Sequence, residues 1–483
     1  MALSIPQLRG FAGIALAVLV TSCVSPVGPK YQKPDVSDVT PAQWSWQAAR
    51  PSDHVPKGDW WRVFGDDDLD ALERRALAGS PTLRGAMSRV EQARAHARGK
   101  RLEFVPDIRF NPAYQRQRTS GNLPTPVPVD IPSAHIDSFT VPLDLSYEID
   151  LWGRVRRSFE SARAAAAASA ADYNNLLLTL TADVAVQHFT LRALDAEAVV
   201  LRRTIALRQS GVDVLEQRFK AGTIPETDLA RARTEVSNAR ADISEVSRLR
   251  QEAAGQLGTL CGEPAGRLEF AERPLGTNAP PAVPVGLPAD LLERRPDVAS
   301  AERQVAARNA DIGVAVATYY PTVRLTGNAG YLSSDLETLF SPDSRTWSLG
   351  PSASLPLTGY GLIAARVRQA KAAREEAIAR YRETVLGAIR DVEASLAQIR
   401  HRGEQATALA ESLGSATRAA QLTLQRYDRG VVSYLELLDA DRTRLQVELR
   451  HVQVLAQQHL ASVRLIKALG GGWENGWENG VKH

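Results

Sequence analysis

The residues best placed for chemistry lie in one stretch of the 483-residue chain, Gln425–Leu445, QRYDRGVVSYLELLDADRTRL. It reads as a helix end, a glycine turn at Gly430 and the start of a second helix. In that second helix Leu435 and Asp439 stand four apart on one face, and Arg442 follows Asp439 by three. Taken alone, this is a helix carboxylate with a local partner, and exposed pairs of that kind contribute little. Elsewhere the chemistry is thinner. Asp66-Asp67-Asp68 open a helix, where the macrodipole favours negative charge. His451 and His459, two of eight scattered histidines, read as solvated helix surface rather than a metal pair. There is no glycine-rich phosphate loop, no HExxH, no Cys/His cluster and no nucleophile beside an activating base. The sequence predicts neither an enzyme nor a metal or cofactor site.

The elements that position Gln425–Leu445 are duplicated. A weaker copy, QRFKAGTIPETDLARARTEV, lies 208 residues earlier, with Arg218 matching Arg426, Phe219 matching Tyr427, Gly222 matching Gly430 and Leu229 matching Leu437. The chain therefore divides into two repeats, 61–262 and 290–469, with a Pro/Gly-rich connector at 263–289 and a disordered tail at 470–483 that carries WENG twice. Each repeat contains one long helix, predicted at 154–220 and 361–429. In the first, Val184, Leu191 and Val212 fall at heptad position a and Leu194, Leu201 and Leu215 at d, a coiled-coil seam. The seam of the second repeat is in register at the same offset. Shorter helices are expected at 81–104, 225–261, 290–318 and 433–469. Two of them end to end match one long helix, giving a rod of roughly 100 Å. A composition of 44% apolar but only 6% aromatic residues fits such a helix-rich chain. The formal net charge of +3, with arginines interleaved among acids, gives no reason to expect a nucleic-acid partner.

Between the helices the period changes to two. Strands are predicted at 105–118, 137–151, 320–333 and 345–358. In the sharpest, Phe139, Val141, Leu143, Leu145, Tyr147 and Ile149 alternate with Ser138, Thr140, Asp144, Ser146 and Glu148. That length exceeds an ordinary strand and suits a bilayer, which needs about 9–11 residues. Four strands cannot close a barrel, and a membrane sheet cannot keep open edges. The chain must then oligomerise, and three copies give a twelve-stranded barrel with a polar lumen, while Phe139, Tyr147 and Trp347 face lipid.

At the N-terminus Arg9 precedes a ten-residue apolar run, Phe11–Val20, too short to span a bilayer but fitting a secretory signal over 1–22. Its end, Val20-Thr21-Ser22-Cys23, resembles a bacterial lipobox, with Val20 where Leu is usual. The resemblance implies that Cys23 is acylated, and Val24 in place of Asp implies delivery to the outer membrane. Residues 23–60 are rich in proline and read as an extended, lipid-anchored linker. The second cysteine, Cys261, reads as a small packing residue at a helix end.

From GPKYQKP to LGGGW the chain resembles the TolC-like outer-membrane factor family of tripartite efflux systems, in its NodT-type lipoprotein branch. The segments that carry the resemblance include WWRVFGDDDLDAL, SYEIDLWGRVRRSFESARA, RFKAGTIPETDLARA, YYPTVRLTGNAGY and RYDRGVVSYLELLDADRTRL. It implies a mainly α protein with a membrane β part: a homotrimer with a 12-stranded outer-membrane barrel and a periplasmic helical tunnel. It implies docking to a periplasmic adaptor protein and an inner-membrane RND-type transporter, and export of drugs or other small toxic compounds. At the positions of the family's constriction stand Leu435, giving an apolar ring, and Asp439, giving an acidic ring. Arg442, Arg426 and Tyr427 match positions whose polar links hold the closed state. Asp441 departs from the pattern, since an uncharged residue is common there. The first copy has Thr227 and Arg231 at the places of Leu435 and Asp439, so only the second copy can supply an acidic ring. A duct of the same fold for type I secretion or metal efflux, or a lipid-anchored periplasmic coiled-coil protein, are the alternative readings.

Overall fold

A computed structural model of the chain describes residues 25–36, 38, 58–120, 133–276, 279–281 and 295–471. The signal segment, Cys23, the first residues of the helix predicted at 290–318 and the WENG tail lie outside the described residues. In chain order the elements are α1 (Asp67–Gly79), α2 (Pro81–Leu102), β1 (Asp107–Phe110), β2 (Ala113–Arg118), β3 (His135–Ile149), α3 (Arg154–Lys220), α4 (Glu226–Leu260), α5 (Pro296–Ala317), β4 (Thr322–Ser333), β5 (Arg345–Ser354), α6 (Tyr360–Asp428) and α7 (Tyr434–Ala468). A 3-10 turn, Trp60–Phe64, precedes α1. Among the described residues no helix is long and apolar enough to cross a membrane. The described residues form two compact units, one drawn from 25–34, 90–120, 133–169 and 301–381, the other from 35–36, 38, 58–89, 170–276, 279–281, 295–300 and 382–471.

The first unit holds the sheet, antiparallel throughout, in the order β1-β3-β4-β5 with β2 also on β3. Its register pairs like with like. Leu143 stands opposite Ala329 and Tyr147 opposite Leu325, while Leu325 meets Pro351 and Ala329 meets Trp347. The other face pairs Asp144 with Asn328 and Asn328 with Ser348. One face is thus apolar over most of the sheet, turning polar only toward Arg116, Asp137 and Arg345 at one end, yet Trp347 is 77% exposed and Ile108 64%. The strand predicted at 105–118 is split into β1 and β2 at Asn111-Pro112. The register on either side is continuous, so no residue has slipped. Two prolines cause the break: Asn111 N–H reaches Pro142 O at 3.4 Å, but Pro142 has no N–H to return.

Residues 25–36, part of the stretch expected as an extended linker, dock on the helices around them. Val27 N–H donates to Trp152 O at 3.0 Å, Asn309 Nδ2 to Pro29 O at 3.1 Å, and Tyr31 OH to Glu302 at 3.1 Å. Proline leaves this segment few internal backbone bonds, and the helices it runs over supply the partners instead.

The core of the second unit gathers Trp60, Trp61, Leu69, Leu191, Leu201 and Leu257. The heptad seam of α3 is inside it, with Val184, Leu191 and Leu201 at 1% exposure or less. Asp66 caps α1, accepting from Asp68 N and Leu69 N, and its second oxygen meets His188 Nε2 at 2.7 Å. These contacts, chiefly the bond to His188, outweigh burial and hold the Asp66 carboxyl down at about 2. The connector is fastened too: Asp195, 1% exposed, takes Arg250 Nε at 2.6 Å and Arg273 N–H at 2.9 Å. His459 corrects the sequence reading. It is buried against Phe189, centroids 5.0 Å apart, and burial lowers its pKa. The α3 residue that covers it is 270 positions away, so periodicity within α7 could not reveal it.

Glu73 of α1 is fully buried, and neither carboxylate oxygen has a hydrogen-bond partner among the described residues. Burial pushes its pKa up to about 9. The folded protein keeps this proton through the range in which the unfolded chain releases it. Stability therefore falls as pH rises above the ordinary glutamate value and levels off near 9. At pH 7 the penalty is on the order of 3 kcal/mol. Glu73→Gln is expected to flatten this slope, so that thermal melts at pH 5 and pH 8 differ less in the variant than in the parent. Parallel pH profiles would contradict it.

Candidate functional site

Both helix–turn–helix copies are built the same way. Gly222 (φ +70°) and Gly430 (φ +77°) take the left-handed conformation that ends a helix. Thr223 N–H bonds Arg218 O at 3.0 Å and Gly222 N–H bonds Phe219 O at 2.9 Å; Val431 to Arg426 and Gly430 to Tyr427 repeat this at 2.9 Å each. This is the Schellman pattern, which satisfies carbonyls the helix leaves open. Ser433 then starts α7 with a capping box to Glu436.

Beyond the turns, all within the second unit, charged residues of α3, α4 and α7 alternate in a chain. Glu235 of α4 is its buried centre, its side chain 6% exposed. One side takes Arg208 Nη1 at 3.1 Å, and the other takes Arg442 through Nε at 3.1 Å and through Nη2. Arg208, 10% exposed, also donates through Nε to Asp441 at 3.1 Å. Asp441 accepts from Arg444 Nη2 at 2.9 Å, and Arg444 continues to Glu448 at 2.8 Å. Arg203 closes the run on Glu448. Hydrogen bonding to Glu235 raises the Arg442 pKa above its ordinary value.

Nearer the turn, Arg218 lies over the Tyr427 ring, 5.4 Å from its centroid, and donates to the Tyr427 hydroxyl at 3.3 Å. Tyr427 packs edge-on against Tyr434 at 5.9 Å, and burial pushes the Tyr434 phenol up to about 12. Above these rings a cavity of about 690 Å³ opens between α3, α6 and α7, with Leu207, Val214, Leu413 and Leu424 in its walls.

The structure brings Arg442 and Tyr427 into this cluster, each held by the first repeat: Arg442 by Glu235, Tyr427 by Arg218. Arg426 lies exposed at the end of α6, its carbonyl tied into the turn. Leu435 is 50% exposed, and Asp439 is exposed with no ion pair among the described residues. Arg442 does not pair with Asp439, the partner its spacing suggested. Asp441, the departure from the family pattern, is taken up by Arg208 and Arg444. Sequence reasoning missed Glu235 and Arg208. No local signal marks them, since Arg231 and Arg233, the first-copy residues matching Asp439 and Asp441, pair with Asp228 and Glu216 instead. Among the described residues no group of three or more His, Cys, Asp or Glu side chains could hold a metal ion.

A family model described as outer membrane efflux protein matches residues 72–263 and 287–471. The pyoverdine export outer membrane protein OpmQ of Pseudomonas aeruginosa is 32% identical over 472 residues, covering 97% of this chain and 98% of that protein. The solvent efflux pump outer membrane protein SrpC of Pseudomonas putida is 33% identical over 457 residues, 92% of this chain and 95% of its own length. The outer-membrane channel OprN superposes with a TM-score of 0.82 at 29% identity, covering 92% of this chain and 99% of that one. The chain therefore belongs to the outer membrane efflux protein family and serves as an efflux channel of the cell outer membrane, not as an enzyme.

Proposed function

We propose that three copies of the chain form a gated exit duct, anchored by acylation at Cys23, for a tripartite pump with a periplasmic adaptor and an inner-membrane RND-type transporter. The observation that carries the trimer is the sheet: a single apolar face with unpaired edges at β1/β2 and β5 can enter a bilayer only by closing with other copies. The names of OpmQ and SrpC, with pyoverdine and solvents as their cargo, support export of small compounds. The apolar cavity between α3, α6 and α7 is shaped to receive an amphipathic helix, the form an adaptor would offer.

In this reading the turn end is the gate. Asp439 supports it best, because it stays exposed and unpaired beside a cluster in which the other carboxylates are paired. Three copies around an axis would set three such carboxylates together, attracting cations. Leu435, one turn away on the same face, would add an apolar ring. Arg442 would hold the closed state through Glu235. Asp439→Ala with Arg442→Ala is expected to give a leakier, less cation-selective pore in single-channel recordings from planar bilayers. Parental conductance and selectivity in that double variant would remove the gate from this end.

A further inference from the structure

The first unit carries a charged feature that the duct reading does not use. Along β3, the apolar face of the sheet runs from Ile149 to Phe139 and then turns polar at Asp137 and His135. Ten residue steps at about 3.3 Å make roughly 33 Å of strand, or about 25 Å of height at a tilt near 40°, the depth of a lipid-facing band. Aromatic residues mark its far edge. Tyr114 stacks on Phe139 with centroids 4.7 Å apart, and Tyr331 meets Phe340 at 5.4 Å. Such rings gather at the level where acyl chains give way to headgroups.

Past these rings the same face presents Arg116 and Arg118 on β2, paired in register with Asp137 and His135, while Arg345 on β5 stands level with the ring of Tyr331. All three arginines are exposed. They are also poorly partnered. Arg116 comes no closer than 3.7 Å to Asp137, whose carboxylate already accepts from Tyr114 OH at 2.7 Å. Arg118 donates to Ser133 Oγ at 3.3 Å, and Arg345 forms no ion pair among the described residues. Among the described residues, Asp335, Glu337 and Asp343 of the adjoining loop pair with none of them. Each guanidinium thus keeps most of its five donors.

This end of the sheet is the one away from the strand–helix junctions of α2, α3, α5 and α6, so in an outer-membrane channel it faces the exterior. We infer that Arg116, Arg118 and Arg345 form an outward-facing rim that binds the phosphates of lipid A in the exterior leaflet. The planar fork of a guanidinium fits a phosphate bidentately, and a position at the aromatic belt, as for Arg345, or just beyond it, as for Arg116 and Arg118, puts it at headgroup depth. The inference rests on the membrane-channel reading.

The test uses the full-length channel purified in detergent, with bound lipid counted by native mass spectrometry. Lipid A is compared with its dephosphorylated form and with phosphatidylglycerol. The parent is expected to prefer lipid A over the dephosphorylated form by at least tenfold. Arg116→Gln with Arg118→Gln and Arg345→Gln should abolish that preference, and Arg345→Gln alone should weaken it. Arg109→Gln with Arg324→Gln, on the polar face, should leave it intact. A retained preference in the triple variant, an equal loss in the polar-face variant, or equal binding of phosphatidylglycerol would overturn the inference. If the triple variant gives no heat-modifiable trimer, Arg345→Gln alone decides. Conductance of the same preparations in planar bilayers checks the channel reading separately.

Discussion

Glu235→Ala is expected to raise the open probability of the closed channel at least tenfold and to destabilise the turn end. Glu235 is the α4 carboxylate that joins an arginine of α3 to one of α7. Its side chain is 6% exposed and that of Arg208 is 10%, so the pair is shielded from solvent. Removing one partner of a buried pair costs about 3–5 kcal/mol, mostly because the other charge is stranded. Here Arg208 would keep Asp441, which Arg444 already claims, and the backbone carbonyl of residue 235, but no carboxylate of its own. Arg442 is 53% exposed, so its release matters less for stability than for position: it frees α7 from α4. Since 1.4 kcal/mol is a factor of ten, even half of the lower figure suffices for the expected shift. Glu235→Gln, which keeps the volume, should open the channel with a smaller loss of stability. Asp439→Ala should do the reverse, changing selectivity with little effect on melting, because that carboxylate has no ion pair to lose. If Glu235→Ala lowers stability while the recordings match the parent, Glu235 is a fold residue and the closed state is held elsewhere.

The contrast between Asp439 and Glu235 shows what a sequence displays and what it hides. Asp439 stood out because its neighbours in the chain set its place, a helix after a glycine turn with Leu435 on the same face, and because that stretch resembles the family's constriction. The same local logic applies to the α3 seam, where Val184, Leu191 and Leu201 are buried, and to β3, whose alternation becomes one apolar face. The turns at Gly222 and Gly430 were readable because only a few residue types tolerate the left-handed cap. Glu235 had no such mark. Its partners Arg208 and Arg442 lie 27 and 207 residues away, and helical periodicity cannot connect charges on three different helices. His459 beneath Phe189 and the strap beginning at Val27 against Trp152 were hidden for the same reason. The break at Pro112 sits between: the proline is plain in the sequence, but the effect of Pro142 needs the register.

That register also makes Gly330 a position where one added carbon has a large consequence for the sheet. Gly330 faces Pro142 across β3 and β4 at the middle of the sheet. Pro142 O accepts from Asn111 on the β1 side, so its backbone is turned away from β4 and the pair with Gly330 is of the narrow type, with Cα atoms about 4.5 Å apart. A Cβ placed on Gly330 would lie 2.1 Å from Val141 O and 2.8 Å from Pro142 Cα. Both are backbone atoms, which cannot swing aside as a side chain would. The strands must separate, and with them the bonds that join β3, from the first repeat, to β4, from the second. Gly330→Val is expected to abolish the heat-modifiable trimer on gels, while far-UV circular dichroism keeps most of its helical signal, since the helices do not depend on that pair. Gly350→Ala is the matched control: it also lies in the sheet, but nothing stands within 4 Å of the added carbon, and the trimer should persist. A heat-modifiable trimer from Gly330→Val would show that β3 and β4 do not pair closely in the assembled barrel. Loss of the trimer from both variants would show that the sheet tolerates no added side chain at its glycines, and that close approach to Pro142 is not the cause.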